Sequence, residues 1–244
     1  MRAVALIAVA ALGLQACESS QSKSRKLAKQ AVGQAKLTTV SAGATNPDVK
    51  AADTTILAGK DGTKAIVVAL EDRGGPQAAV PILITAKDKA GKPVFKNDLQ
   101  GLQTSLQEMA SVRPGGSAYW VHDQVVAATL PKSVDVAIGK PKAPAPREIP
   151  EIALEGVKYD TDPAGLIATG VVKNRSKITQ RNMPIYAVAK KDGKIVAAGR
   201  ALIDKLDPEP QKRPTIFRIF FVGDPRGADL DVRAVPSTFT GATS

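Results

Sequence analysis

A single cysteine, Cys17, among 244 residues excludes an internal disulfide, so an exported domain with this sequence must be stabilised by apolar burial alone. A single histidine, His122, removes histidine-based metal clusters and leaves Ser-His or Cys-His catalysis hanging on one ring. Asp123 follows it, but neighbours along a strand point to opposite faces, so Asp123 cannot orient His122 there. His122 therefore reads as an ordinary polar strand residue. Aromatic residues make up only 4%, too few for the stacking platforms of single-strand binders, and none interleave with basic residues. Nucleic acid is thus not an expected partner. There is no phosphate-binding Walker loop and no G-x-G-x-x-G turn. Ser20-Gln-Ser-Lys23 matches S-x-x-K by chance, in a polar stretch with nothing to enclose a pocket. The alternate carboxylates Asp160/Asp162 and Asp229/Asp231 lack the Asp/Asn-Gly run of a calcium loop and read as strand ends. No catalytic residue, metal or cofactor is expected, and the chain does not read as an enzyme.

What is present begins with Arg2, an apolar run from Ala3 to Leu14 and a small residue at Ala16. The run is too short to span a bilayer and has the layout of a signal peptide over residues 1–16. Leu14-Gln15-Ala16-Cys17 resembles a bacterial lipobox. That resemblance implies cleavage before Cys17, a thioether to diacylglycerol, and a protein exported to the cell envelope and anchored to the membrane. Loss of Arg2 with the signal leaves 33 of the 34 basic residues against 23 acidic ones, a net charge of about +10 that favours anionic neighbours. Residues 17–53 are polar, small and basic, with Lys23, Arg25, Lys26 and Lys29 close together, and read as a flexible tether. One lipid group anchors marginally, and such a basic cluster adds electrostatic attachment to anionic lipid or wall polymer.

From residue 54 short β-branched runs follow one another: Lys64–Leu70, Val80–Ala86, Ser117–Val126 and Val134–Ile138. Asp72-Arg-Gly-Gly-Pro76, Lys89-Ala-Gly-Lys92 and Arg113-Pro-Gly-Gly116 supply turns between them. Leu99, Leu102, Leu106 and Met109 recur at spacings of three and four, which predicts a helical turn inserted within 97–112. Residues 139–150 carry four prolines and read as an extended, semi-rigid linker. The second half repeats the first in outline, with Pro184-Ile185 before Gly193-Lys194 matching Pro81-Ile82 before Gly91-Lys92. Strands with turns every 8–12 residues are the pattern of a β-sandwich. The expectation is an all-β chain: two immunoglobulin-like sandwiches in tandem, 54–138 and 151–239, joined by the linker and ending in a short tail, 240–244. On the strand through Tyr119 and Trp120 one ring enters the core, Trp120 by preference, while Tyr119, Trp120 and Arg113 are the candidate binding surface.

The second half is similar to the FxLYD-type domains of exported bacterial proteins. The matching pieces are Thr169-Gly-Val-Val-Lys-Asn-Arg-Ser176, Met183-Pro-Ile-Tyr-Ala-Val188, Lys191 through Gly199, and Phe217 through Pro225. The first half is a more distant match. The resemblance implies an immunoglobulin- or fibronectin-like sandwich and brings no catalytic residues. The expected function is a non-catalytic, lipid-anchored protein presenting two binding modules to an envelope partner. The alternatives are a structural envelope component held by basic charge, and an accessory to an enzyme complex or an unrecognised hydrolase.

Overall fold

The computed structural model describes residues 38–211 and 213–239; Cys17, Lys23, Arg25, Lys26, Lys29 and the 240–244 tail lie outside them. The regular structure of the described residues is all β apart from one 3-10 turn, Thr104–Leu106. The first half contributes β1 (Val49–Ala58), β2 (Lys64–Asp72), β3 (Gln77–Lys87), β4 (Pro93–Lys96), β5 (Glu108–Val112), β6 (Ser117–His122) and β7 (Ser133–Ile138). The second contributes β8 (Ile152–Asp162), β9 (Gly165–Asn174), β10 (Gln180–Lys191), β11 (Lys194–Leu206), β12 (Thr215–Phe220), β13 (Val222–Gly223) and β14 (Asp229–Ala234).

Each half has two antiparallel sheets with matching connectivity. The first has β1-β2-β6 and β4-β3-β5, with β7 also on β3; the second has β8-β9-β12 and β13-β11-β10-β14. The repeat extends to single bonds. Ile82 pairs with Ile138 on β7, and Ile185 pairs with Ala234 on β14. Just beyond, the Gly139 N–H donates to Pro81 O and the Val235 N–H to Pro184 O, both at 2.9 Å.

The run Met183–Ala189 on β10 is buried along its whole length, which requires cover on both faces. Strand alternation divides it. Met183, Ile185 and Ala187 pack with Ala168, Val172, Phe217 and Ile219 of β9 and β12. Tyr186 and Val188 instead join the apolar cluster of the first half, with Val67, Val68, Leu70 and Trp120. β2 is likewise buried on both faces. The β1-β2-β6 sheet therefore packs against the β10-β11 sheet, and the two halves share a core.

Three segments differ from expectation. The folded region starts before residue 54: Val40 N–H bonds to Asp98 O at 2.7 Å, Asn46 caps the Asp48 and Val49 N–H groups, and β1 opens on a buried Val49. Residues 39–53 thus belong to the fold and not to a tether. Gly139 makes this possible, since a Cβ there would fall 1.8 Å from Ala42 O. Within 97–112 the helical turn narrows to Thr104–Leu106 and gives way to β5, which pairs with β3. Residues 139–150 run against the fold at both ends. Lys140 and Lys142 donate backbone bonds to Ala44 and Ala79, while Ile149 and Pro150 are buried.

Buried Asn97 pins this insertion: its Oδ1 accepts from Ile84 N–H at 2.7 Å and its Nδ2 donates to Ile82 O and Leu106 O. Replacement by alanine strands several buried backbone groups, so Asn97→Ala should lower stability by about 3 kcal/mol in urea unfolding. A loss below about 1 kcal/mol would show that the insertion is held by other contacts.

Candidate functional site

The joint between the halves is where charged and aromatic side chains converge. β10 and β11 meet at Asp192-Gly193, both in the left-handed region (φ 50° and 75°), the Asp-Gly pair of a two-residue hairpin. This hairpin carries Lys190 and Lys194 over the β1-β2-β6 sheet, where Asp53, Ala69 and Tyr119 are register neighbours. Between them lies a cleft of about 370 Å³, lined also by Thr55 and Ile195. Across the Tyr119 ring a second depression of about 90 Å³ is lined by Arg113 and Arg233 among others. Lys190 Nζ sits 4.7 Å from the Tyr119 ring centre and the Arg233 guanidinium 5.4 Å, so the ring is engaged by two cations. Asp231 bridges these cations, at 3.0 Å from Arg233 and 3.9 Å from Lys190.

Deeper in the joint Arg200 of β11 is almost wholly buried, with a side chain 5% exposed. Its Nε and Nη2 donate to Asp123 Oδ1 at 3.3 and 3.1 Å, and its Nη1 donates to Gln103 Oε1 at 2.6 Å and to Ser105 Oγ. The carbonyl of Ser105 accepts from Trp120 Nε1 at 3.0 Å and from the Tyr186 hydroxyl at 3.3 Å. Residues from three places in the chain thus converge on one serine of the insertion. Burial raises the Tyr186 hydroxyl well above its ordinary value, so it stays a neutral donor.

His122 lies one residue before Asp123 and is 1% exposed. Its ring makes edge contacts with Phe95 and Trp120, at centroid distances of 5.1 and 5.7 Å. Neither ring nitrogen has a hydrogen-bond partner among the described residues. Burial, reinforced by the Arg200 charge, pushes its pKa down to about 3. It is a sealed, neutral imidazole.

Of the candidate surface residues, Arg113 is exposed and Tyr119 half-buried, and both line the second depression. Trp120 is not on the surface: at 0% exposure it fills the core, because strand alternation turns it away from Tyr119. One carboxylate of each acidic pair is engaged by arginine, Asp162 by Arg218 and Asp231 by Arg233. No group of three potential metal ligands assembles among the described residues. Lys190, Lys194 and Arg233 escaped the sequence reading. Lys190-Lys-Asp-Gly-Lys194 marks a basic hairpin tip, but nothing local tells that the tip lies over Tyr119. No protein-family model matches the chain, and no curated protein sequence matches it significantly.

Proposed function

We propose that this is a non-catalytic, lipid-anchored envelope protein that works by association, with its β-sandwich modules, the second of FxLYD type, presented to an anionic ligand. The observation that carries the reading is the cationic joint: Arg113, Lys190, Lys194 and Arg233 surround Tyr119 in two open depressions. The one histidine and the carboxylate beside it, the pair on which a Ser-His-Asp site would draw, are engaged inside the fold. His122 is sealed behind Phe95 and Trp120, and Asp123 is taken by Arg200. The lipobox-like Leu14–Cys17 supports the address, and the excess of basic residues supports an anionic partner in the envelope.

The address is tested at Cys17. Cys17→Ser is expected to move the protein from the membrane to the soluble fraction, or to leave it unprocessed. The wild-type protein should carry a mass increment of a diacylglyceryl group that the variant lacks. Unchanged fractionation together with an unchanged mass would overturn the lipid anchor.

A further inference from the structure

Of the charged side chains lining the two depressions beside Tyr119, four are cations (Arg113, Lys190, Lys194, Arg233) and one is a carboxylate, Asp53. Two of the cations already have work within the fold. Lys190 and Arg233 share Asp231, and Arg233 also donates to Ser117 O. Lys194 and Arg113 have no carboxylate within ion-pair distance among the described residues; Arg113 makes one long bond, 3.4 Å, to Pro150 O. The two cations without a carboxylate do not share a depression: Lys194 lines one and Arg113 the other, while Lys190 and Arg233 are joined through one Asp231 oxygen. A compact anion would meet one of the two free cations and leave the other unused. A chain with anionic groups at intervals would meet both.

The ring itself is a spacer in this arrangement. Lys190 and Arg233 are already drawn to the Tyr119 ring, so a base or sugar gains little by stacking there. Recognition then rests on charge and on the shape of the groove. The guanidinium of Arg113 offers a fork to a phosphate or carboxylate, and Lys194, on its exposed hairpin, offers a mobile point charge.

We infer that the groove across Tyr119 binds a polymer of repeated phosphate or carboxylate groups, with Arg113 and Lys194 as the two residues free to contact it. The inference rests on the association reading above and adds a place and a ligand class. Because both halves build the groove, binding also requires the joint between them to be intact.

The test uses the full chain carrying Cys17→Ser, so that lipid does not contribute. Binding is measured by titration with linear polyphosphate, polyglutamate, inorganic phosphate, a DNA oligonucleotide and phosphatidylglycerol vesicles. Polyphosphate or polyglutamate should bind, and whichever binds tighter identifies the anionic group; inorganic phosphate should bind at least a hundredfold more weakly than the polymer. Arg113→Gln with Lys194→Gln should weaken polymer binding about tenfold at low salt. Lys89→Gln with Lys92→Gln, the same charge change at the exposed β3–β4 turn, should leave it within twofold. Equal losses in the two double variants, or no loss in either, would overturn the groove. Tighter binding of vesicles than of either polymer would overturn the ligand class, and tighter binding of DNA than of polyphosphate would overturn the reading of Tyr119 as a spacer that gives a base no hold. If substitution of Lys23, Arg25, Lys26 and Lys29 alone abolishes polymer binding, association stands and the groove falls. If no polyanion binds, both fall.

Discussion

Arg200→Ala is expected to destabilise the protein by about 3–5 kcal/mol, the cost of leaving one member of a buried ion pair uncompensated. The guanidinium is 5% exposed and Asp123 12%, so solvent cannot replace the lost partner easily. The substitution also strips donors from Gln103 and Ser105, which hold the insertion against the second half. For a folded unit of this size the loss corresponds to a melting temperature lower by roughly 10 °C. Arg200→Lys should lose most of that stability as well, because a point charge cannot serve Asp123, Gln103 and Ser105 together. Arg200→Met combined with Asp123→Leu should recover much of it, since removing both charges removes the desolvation cost. A loss under about 1 kcal/mol for Arg200→Ala would mean that the joint is held by apolar contact alone.

The second large effect is acid sensitivity centred on His122. In the unfolded chain its pKa is near the ordinary 6.5, whereas in the fold it is pushed down to about 3. The sign follows. Above pH 6.5 the ring is neutral in both states, and its burial carries no protonation cost. Below 6.5 the unfolded chain gains a proton that the folded chain refuses until about pH 3, so stability falls with falling pH across that window. Full traversal amounts to on the order of 4–5 kcal/mol, and the slope in the middle is about one proton. The charged group that acts on the ring is Arg200 from β11, and it opposes protonation. β2 contributes Ile66 opposite the histidine, and β4 contributes Phe95. Urea unfolding of wild type and His122→Leu at pH 7 and pH 4.5 isolates the effect, because other carboxylates contribute equally to both. Wild type should lose about 2–3 kcal/mol more than the variant on acidification. At pH 7 the variant should be as stable or more so, since it removes two unpartnered ring nitrogens. Equal pH dependence in the two proteins would contradict a sealed, neutral imidazole.

Some of this was legible in the chain, and the reasons are physical. The repeat of Pro-Ile before a Gly-Lys turn reflects a shared hydrogen-bonding position on β3 and β10, and it survives in the Gly139–Pro81 and Val235–Pro184 bonds. The alternation of Tyr119 and Trp120 follows from strand geometry alone. β1 was missed because an edge strand half open to water tolerates Lys50, Ala51, Ala52 and Asp53, which carry no strand pattern. His122 has the same parity as Trp120 and therefore the same inward face; that signal was present and outweighed by the polarity of histidine. Arg200 had no local signal. Its partner Asp123 is 77 residues away, and only the packing of the halves brings them together. The groove was half visible, as Arg113 and Tyr119, for the same reason: its other wall comes from a hairpin in the second half.

Association by charge is the centre of the account, and the salt dependence of polyphosphate binding tests it most directly. The two free groove cations, Arg113 and Lys194, each releasing about 0.7–0.9 counterions on contact with a polyanion, give a slope of log affinity against log salt of about −1.5, or steeper where the basic N-terminal residues also engage. A slope near zero, or no measurable binding at 50 mM salt, would contradict it.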